Sequence, residues 1–453
     1  METLQNVLRT SELRNKILFT IFIIVLYRLG AQIPAPGVSL DGIQTLRNRA
    51  DENQGGVFGY LTLFTGSGGV LNLFGLGILP YITSSIVIQI LTVAVPKLEE
   101  WQSQGAVGQR KITQWTRYIA MILALIQSAS LTFLINRSPE QIFGYDPGLF
   151  PDGNIGRMLL AIICVTTGTA VLMWMGELIT EKGLGNGMSV LIFASVVAGL
   201  PVLGVQIFQI RGVIWLAVAL LLLVALCVGI VFIEQGQRRI PINFPKRVVG
   251  RKQYGGNKTY IPLKVNQAGV IPVIFASSLL QLPSLIATSL PTNGSGIDPT
   301  TGEVIDPNWG DNLRQFIQNR LFSPTDPAYI VVFGMLIIGF AYFYNAIAFD
   351  PARRADELRK SGGFITGVRP GPQTERHLAK VLNRITFPGS LFLAAIALIP
   401  SAALFALLGG GGQNLGLLGF SGISILIGVG VSLELMKQIN SQLMARNYEG
   451  FLK

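Results

Sequence analysis

Few side chains in this sequence could do chemistry, and their spacing assembles no reaction centre. Cys164 and Cys227 fall in separate apolar runs without CxxC spacing, which argues against a disulfide framework or a zinc site. His377, the single histidine, sits in a polar loop without a metal-ligand companion. There is no HExxH, no GxSxG, no Walker-type phosphate loop and no carboxylate pair within an apolar run. An enzyme is therefore not expected, nor any cofactor or metal. The ionisable groups inside apolar runs reduce to Arg28, with Glu177 and Glu434 towards run ends. Ion-coupled transporters carry such groups at mid-membrane to bind a proton or cation, so their scarcity tells against a coupled pump. Arg28 is expected to snorkel or to pair with a neighbouring polar group. What remains is a set of small uncharged polar residues: Thr83, Ser84, Ser85, Gln127, Ser128, Asn266, Ser277 and Ser278. Such residues let helices approach closely and hydrogen-bond weakly, at about 0.6 kcal/mol per contact. That suits ordinary packing and equally a seam that must open.

The elements that position these residues are membrane helices. Of 453 residues, 50% are hydrophobic and only 13% charged, against about 25% charged in soluble domains. A polytopic membrane protein follows. Ten runs are long enough to cross a bilayer, near 17–35, 76–95, 115–135, 157–179, 188–208, 212–233, 268–290, 328–349, 385–408 and 415–436. The start of the chain lacks a small-residue cleavage pattern, so the first run is expected to be a retained anchor. The net charge of +11 is concentrated between runs and reads as topology and partner docking rather than nucleic-acid binding along the chain. Loop 234–267 and loop 350–384 are basic, whereas the connection between them is acidic. By the positive-inside rule the two basic loops are cytoplasmic, and with ten spans both termini are cytoplasmic as well.

One stretch occurs nearly twice. Gly77, Pro80, Ile82, Ser85 and Gln89 recur in register as Gly269, Pro272, Ile274, Ser277 and Gln281. The copies fall in the second and seventh runs, so each is the second helix of a five-helix half. Because five is odd, the halves must be inverted relative to each other. A proline and small polar residues inside an apolar helix suit a helix that lines a seam or cavity. The roles of Gln89 and Gln281 are open. A further stretch, about 55–73, is apolar but short and glycine-rich. It is either an interfacial turn or a re-entrant segment.

Six stretches in order carry a family resemblance: Ile33-Pro-Ala-Pro-Gly37, Gly77-Ile-Leu-Pro-Tyr-Ile82, Gly176-Glu-Leu-Ile-Thr-Glu-Lys-Gly-Leu-Gly-Asn-Gly187, Gln237-Arg-Arg-Ile240, Pro262-Leu-Lys-Val-Asn-Gln-Ala-Gly-Val-Ile-Pro272 and Gly367-Val-Arg-Pro-Gly371. Over essentially its whole length the chain resembles the SecY family, channel subunits of the bacterial Sec protein translocon. The resemblance implies an all-α protein of ten transmembrane helices in two inverted halves, 1–208 and 209–453, around an hourglass pore. The pore ring would be Ile78, Ile82, Met188, Ile192, Ile274 and Ile427. Methionine at 188 stands where the family usually has a branched aliphatic, and implies a seal of different shape. The glycine-rich stretch would be the plug, with Phe58, Leu61, Leu63, Phe64, Gly66, Gly68, Gly69 and Asn72. The second and seventh spans would form a lateral gate with Thr83, Ser85, Gln127, Asn266, Ser277 and Ser278. Arg238, Arg239, Lys246, Arg247, Arg251, Lys252 and Arg369 would dock the ribosome and the motor ATPase SecA. SecE and SecG are the implied small membrane partners, with signal sequences and nascent polypeptides as cargo, in a bacterial plasma membrane. Ala31-Gln32 stands where the family often has a basic residue. The rival readings are a secondary transporter of a small solute and a membrane scaffold that only binds partners.

Overall fold

The computed structural model describes residues 11–49, 71–137, 148–150, 153–244, 247–249, 252–254, 258–289, 296–297, 304–305, 309–317, 326–408 and 422–450. In chain order the helices of the first half are α1 (Ser11–Gly30), α2 (Leu40–Arg49), α3 (Leu79–Ala94), α4 (Pro96–Ser103), α5 (Ala106–Arg137), α6 (Ile155–Lys182) and α7 (Gly187–Arg211). The second half holds α8 (Val213–Gln235), strands β1 (Gln237–Asn243), β2 (Arg247–Val249), β3 (Lys252–Tyr254) and β4 (Lys258–Lys264), then α9 (Ile271–Ser289). It continues with β5 (Gly296–Ile297), β6 (Val304–Ile305), α10 (Trp309–Phe316), α11 (Pro327–Ala348), α12 (Pro351–Lys360), β7 (Phe364–Ile365), α13 (Pro372–Leu408) and α14 (Gly422–Gly450).

Each of the ten apolar runs coincides with a helix: α1, α3, α5, α6, α7, α8, α9, α11, α13 and α14. Among the described residues, six are long and apolar enough to cross a membrane by themselves. The others carry polar residues or are interrupted: α3 turns sharply into α4, and Pro201 and Pro283 lie inside α7 and α9. Three helices run well past their apolar runs, α5 and α13 at their starts and α14 at its end. Their polar extensions keep helix-forming residues in water, beyond what a hydropathy window detects.

The packing of one half repeats in the other. In the first, α3 lies on α5, α5 on α6, α6 on α7, and α1 on both α6 and α7. In the second, α9 lies on α11, α11 on α13, α13 on α14, and α8 on both α13 and α14. Even a polar bond recurs: Ser128 and Thr166 hydroxyls meet at 2.9 Å between α5 and α6, and Asn345 donates to Thr386 at 2.8 Å between α11 and α13. Between halves, α9 touches α3 and α5 on one side, while α7 meets α8 and α14 on the other. This is a clamshell with a seam opposite its hinge.

The repeated sequence motif sets the start of the paired helices. Gly77 and Gly269 both adopt left-handed backbone, φ 56° and φ 62°. Each precedes its helix by two residues, and Pro80 and Pro272 fall in the first turn, where a missing N–H costs nothing. The carbonyl of Ile78 accepts from the amides of Tyr81 and Ile82, and that of Val270 from Val273 and Ile274. A Cβ in left-handed backbone costs about 1–2 kcal/mol. Gly77→Ala and Gly269→Ala are each expected to lower stability by about that amount, read as a lower thermal midpoint in detergent.

Arg28 neither faces lipid nor snorkels. Its guanidinium donates to the carbonyls of Ala194 and Ser195 on α7, beside a 2.6 Å contact between the Tyr27 and Ser195 hydroxyls. The charge thus ties α1 to α7, which is the pairing alternative of the two that the sequence left open. Glu177 is likewise structural, paired with Arg117 across α5 and α6. Both partners are partly exposed, so the pair contributes at most about 1 kcal/mol.

Candidate functional site

The six residues assigned to the pore ring belong to one continuous apolar cluster. Ile78, Ile82, Met188, Ile192 and Ile427 are buried members, and Ile274 packs against them half-buried. Three local devices bring them together. Ile78 caps α3 and Ile82 lies one turn on, so both point from one helix face. Asn186 caps α7 by accepting from the Met188 amide at 3.1 Å, which starts the helix so that Met188 and Ile192 share a face. The inverted repeat gives Ile274 the same turn of α9 that Ile82 has in α3. Met188 also leans on a neighbour: a Cβ at Gly176 of α6 would fall 2.6 Å from its sulfur. The flexible thioether fills the notch that glycine leaves between α6 and α7.

The described polar residues along the seam between α3 and α9 bond within their own helices. The Thr83 hydroxyl donates to the carbonyls of Leu79 and Pro80 in its own helix, Ser84 to Tyr81, and Ser277 to Ile274. Ser278 Oγ is buried without a partner. Ser85 is half-buried and meets Gln89 Nε2 only at 3.5 Å. Among the described residues no hydrogen bond links α3 to α9, so dispersion between apolar side chains closes the seam, and parting it strands few polar groups. Gln127 is half-buried on α5, the other neighbour of α9.

The resemblance assigns Asn266 to the gate, and its bonds are local. It precedes α9 and donates to Glu234 at the end of α8 (2.9 Å) and to the Gly269 carbonyl (3.0 Å). Both bonds stay inside the second half. The signal that could have found Glu234 was present in the sequence: it is the lone acid at the edge of a basic loop.

Of the plug residues, Phe58, Leu61, Leu63, Phe64, Gly66, Gly68 and Gly69 lie outside the described residues. Asn72 is buried and donates to the Ala31 carbonyl at 2.8 Å, and Leu71 and Leu73 exchange backbone bonds with Ala35 and Ile33. The Ile33-Pro-Ala-Pro-Gly37 turn therefore pins the segment that leads into α3.

The two basic loops fold as one body, which the sequence reading missed. Strands β4, β1 and β7 form a single antiparallel sheet, and β7 comes from the second loop. Ile240, Leu263, Phe349, Ile365, Leu378 and Leu382 give it its own core. A two-residue strand such as Phe364–Ile365 is too short to leave a periodic signature. Arg238 and Arg239 are exposed on β1, with the Arg239 guanidinium 4.8 Å from the centre of the Tyr260 ring. Arg247 and Lys252 lie in the paired strands β2 and β3, and Lys246 and Arg251 fall outside the described residues. Arg369 is exposed on a turn between Gly367 and Gly371, both left-handed (φ 83° and 108°), and its carbonyl accepts from Thr374 at 2.9 Å. The rigid turn holds the arginine out from the loop body.

A family model described as SecY matches residues 72–436. The protein translocase subunit SecY of Mycobacterium leprae is 48% identical over 449 residues, covering 98% of each chain. That of Corynebacterium glutamicum is 46% identical over 455 residues and covers all of both chains. The solved structure of a protein conducting channel superimposes with TM-score 0.60 at 18% identity, over 94% of this chain and 92% of that one. Sec61 in the canine ribosome-channel complex from the endoplasmic reticulum gives 0.59 at 18% identity with the same coverage. These two show a shared fold of ten membrane helices in two halves. Fold, motif order and full-length identity agree: the chain belongs to the SecY family.

Proposed function

We infer that the chain is a protein-conducting channel subunit that passes unfolded polypeptides across a membrane and releases apolar segments sideways into it. The observation that carries this reading is one apolar cluster drawn from α3, α7, α9 and α14, beside an α3–α9 seam that no hydrogen bond among the described residues crosses. An aliphatic ring offers water and ions no hydrogen-bond partner, so it seals by dewetting. It makes no directional demand on a threading chain, so sequence does not decide passage. The seam sorts what the ring admits: Leu, Ile, Phe or Val gains about 0.3–0.6 kcal/mol per residue on entering the bilayer, and a charged residue loses about 2.5–3.5. No catalytic residue is required of this subunit.

In this reading the pore ring is Ile78, Ile82, Met188, Ile192, Ile274 and Ile427. The gate is the α3–α9 seam with Thr83, Ser85, Asn266, Ser277 and Ser278, flanked by Gln127. Residues 55–73 close the pore as a plug; in a solved SecY protein the plug domain stabilises the closed state of the channel and maintains a membrane seal. The joined cytoplasmic body docks the ribosome and SecA through Arg238, Arg239, Lys246, Arg247, Arg251, Lys252 and Arg369. Its phosphate contacts are independent of sequence and weaken with salt. SecE and SecG are the small membrane partners, and the plasma membrane with both termini cytoplasmic is the setting.

Arg369→Glu is expected to impair motor-driven export more than ribosome-bound insertion, because the turn projects a single charge beyond the sheet. Comparing both assays in one membrane preparation checks it, and equal losses would contradict the division. Reconstitution of the channel with the motor, ATP and a secretory precursor tests the function itself. Precursor inside protease-treated vesicles is the expected result; saturable uptake of a small solute would instead favour a transporter.

A further inference from the structure

Each gate helix begins at a left-handed glycine, and each is preceded by an asparagine that reaches back to the first helix of its own half. Asn266 Nδ2 bridges the Glu234 carboxylate of α8 (2.9 Å) and the Gly269 carbonyl (3.0 Å). Asn72 Nδ2 donates to the carbonyl of Ala31, just after α1 (2.8 Å). The backbone follows the same plan: Val265 N donates to Gly236 O at 2.9 Å, and Leu73 N to Ile33 O at 2.9 Å. Both segments are also pressed by a glycine on the fourth helix of the half. A Cβ at Gly389 of α13 would collide with Val265 O, and one at Gly168 of α6 with Leu73 O. The starts of the second and seventh spans lie at opposite membrane faces, so the two devices do as well.

We propose that Asn266, held by Glu234, and Asn72, held by Ala31, are positioning residues that seat the two gate helices, each on its own half, so that the seam parts by rotation about Gly77 and Gly269. A gate that opens must leave its helices attached somewhere, and hinges absorb the change at a few element-terminal residues. Glycines with left-handed backbone, fixed on one side by a buried amide, supply such points. The second latch is the better anchored, because Asn266 reaches two acceptors where Asn72 reaches Ala31. Loss of either latch frees a helix start and loosens the ring that Ile82 and Ile274 complete.

The inference rests on the lateral-gate reading, and the experiment separates the two. Spin labels at Val87 on α3 and Leu279 on α9, both about two-fifths exposed (41%), report the seam by double electron–electron resonance after Cys164 and Cys227 are replaced by serine. Unmodified channel is first measured with and without a signal peptide; no widening would defeat the gate reading itself. Glu234→Ala, Asn266→Ala and their double variant are expected to raise the separated population alike, by about tenfold, because the two side chains act as one unit. Asn72→Ala is expected to widen the seam less. Glu234→Gln keeps an acceptor for Asn266 and is expected to match the unmodified channel, which separates the latch from a general loss of fold. Unmodified seam distances in both single variants, or independent additive effects in the double variant, would overturn the proposal.

Discussion

Serine at both Ile82 and Ile274 is expected to make the resting channel leak ions. The two side chains occupy equivalent turns of the paired helices, 7% exposed for Ile82 and half-buried for Ile274. Each substitution removes aliphatic volume and supplies a hydroxyl, so the narrowest point gains room for water and partners for its hydrogen bonds. A constriction that seals by dewetting loses its barrier once it is wet, and single-channel conductance in planar bilayers is expected to rise roughly tenfold or more. Valine at the same positions keeps the seal. Large-to-small changes in a packed cluster cost about 2–5 kcal/mol each, so thermal midpoints must show that the double variant still folds. A folded double variant with unmodified conductance would remove these residues from the ring.

Cysteines at Ser85 and Ser278, bridged by a thiol-reactive linker, are expected to abolish lateral insertion of a membrane anchor. The positions lie on α3 and α9, whose contact is the seam. Ser278→Cys is tolerable because its hydroxyl is buried without a partner, so nothing paired is lost. Since no hydrogen bond crosses the seam among the described residues, the covalent bridge would exceed the dispersion contacts it replaces. Reduction of a cleavable linker is expected to restore insertion in the same sample. Insertion that continued through a confirmed bridge would contradict exit between these helices.

What was legible in the sequence was whatever backbone chemistry forces. Gly77 and Gly269 with Pro80 and Pro272 announced paired helices, one per half, although the prolines read as lying inside them; the structure puts each in a first turn, three residues after a left-handed glycine. Apolar runs announced ten spans, and their odd number per half announced inversion. Partnerships between distant segments were not legible. Asn266 carried a gate role by resemblance, but its bond to Glu234 could not be read from the sequence. Phe364 and Ile365 carried no sign that they would complete a sheet begun at Gln237. Met188 implied a ring of different shape, but not that Gly176 would give its sulfur a notch. Gln89 repeats as Gln281, and its Nε2 lies 3.5 Å from Ser85 Oγ; nothing here explains the repeat.

The central claim is that a polypeptide passes between Ile82 and Ile274. A photoreactive amino acid placed in turn at Ile82, Ile274 and the exposed Ile122 (60%) tests it, with a secretory precursor arrested midway by a folded domain. The expected result is cross-linking of the precursor at Ile82 and Ile274, and of lipid alone at Ile122. Precursor captured at Ile122 and absent from both ring positions would contradict the account.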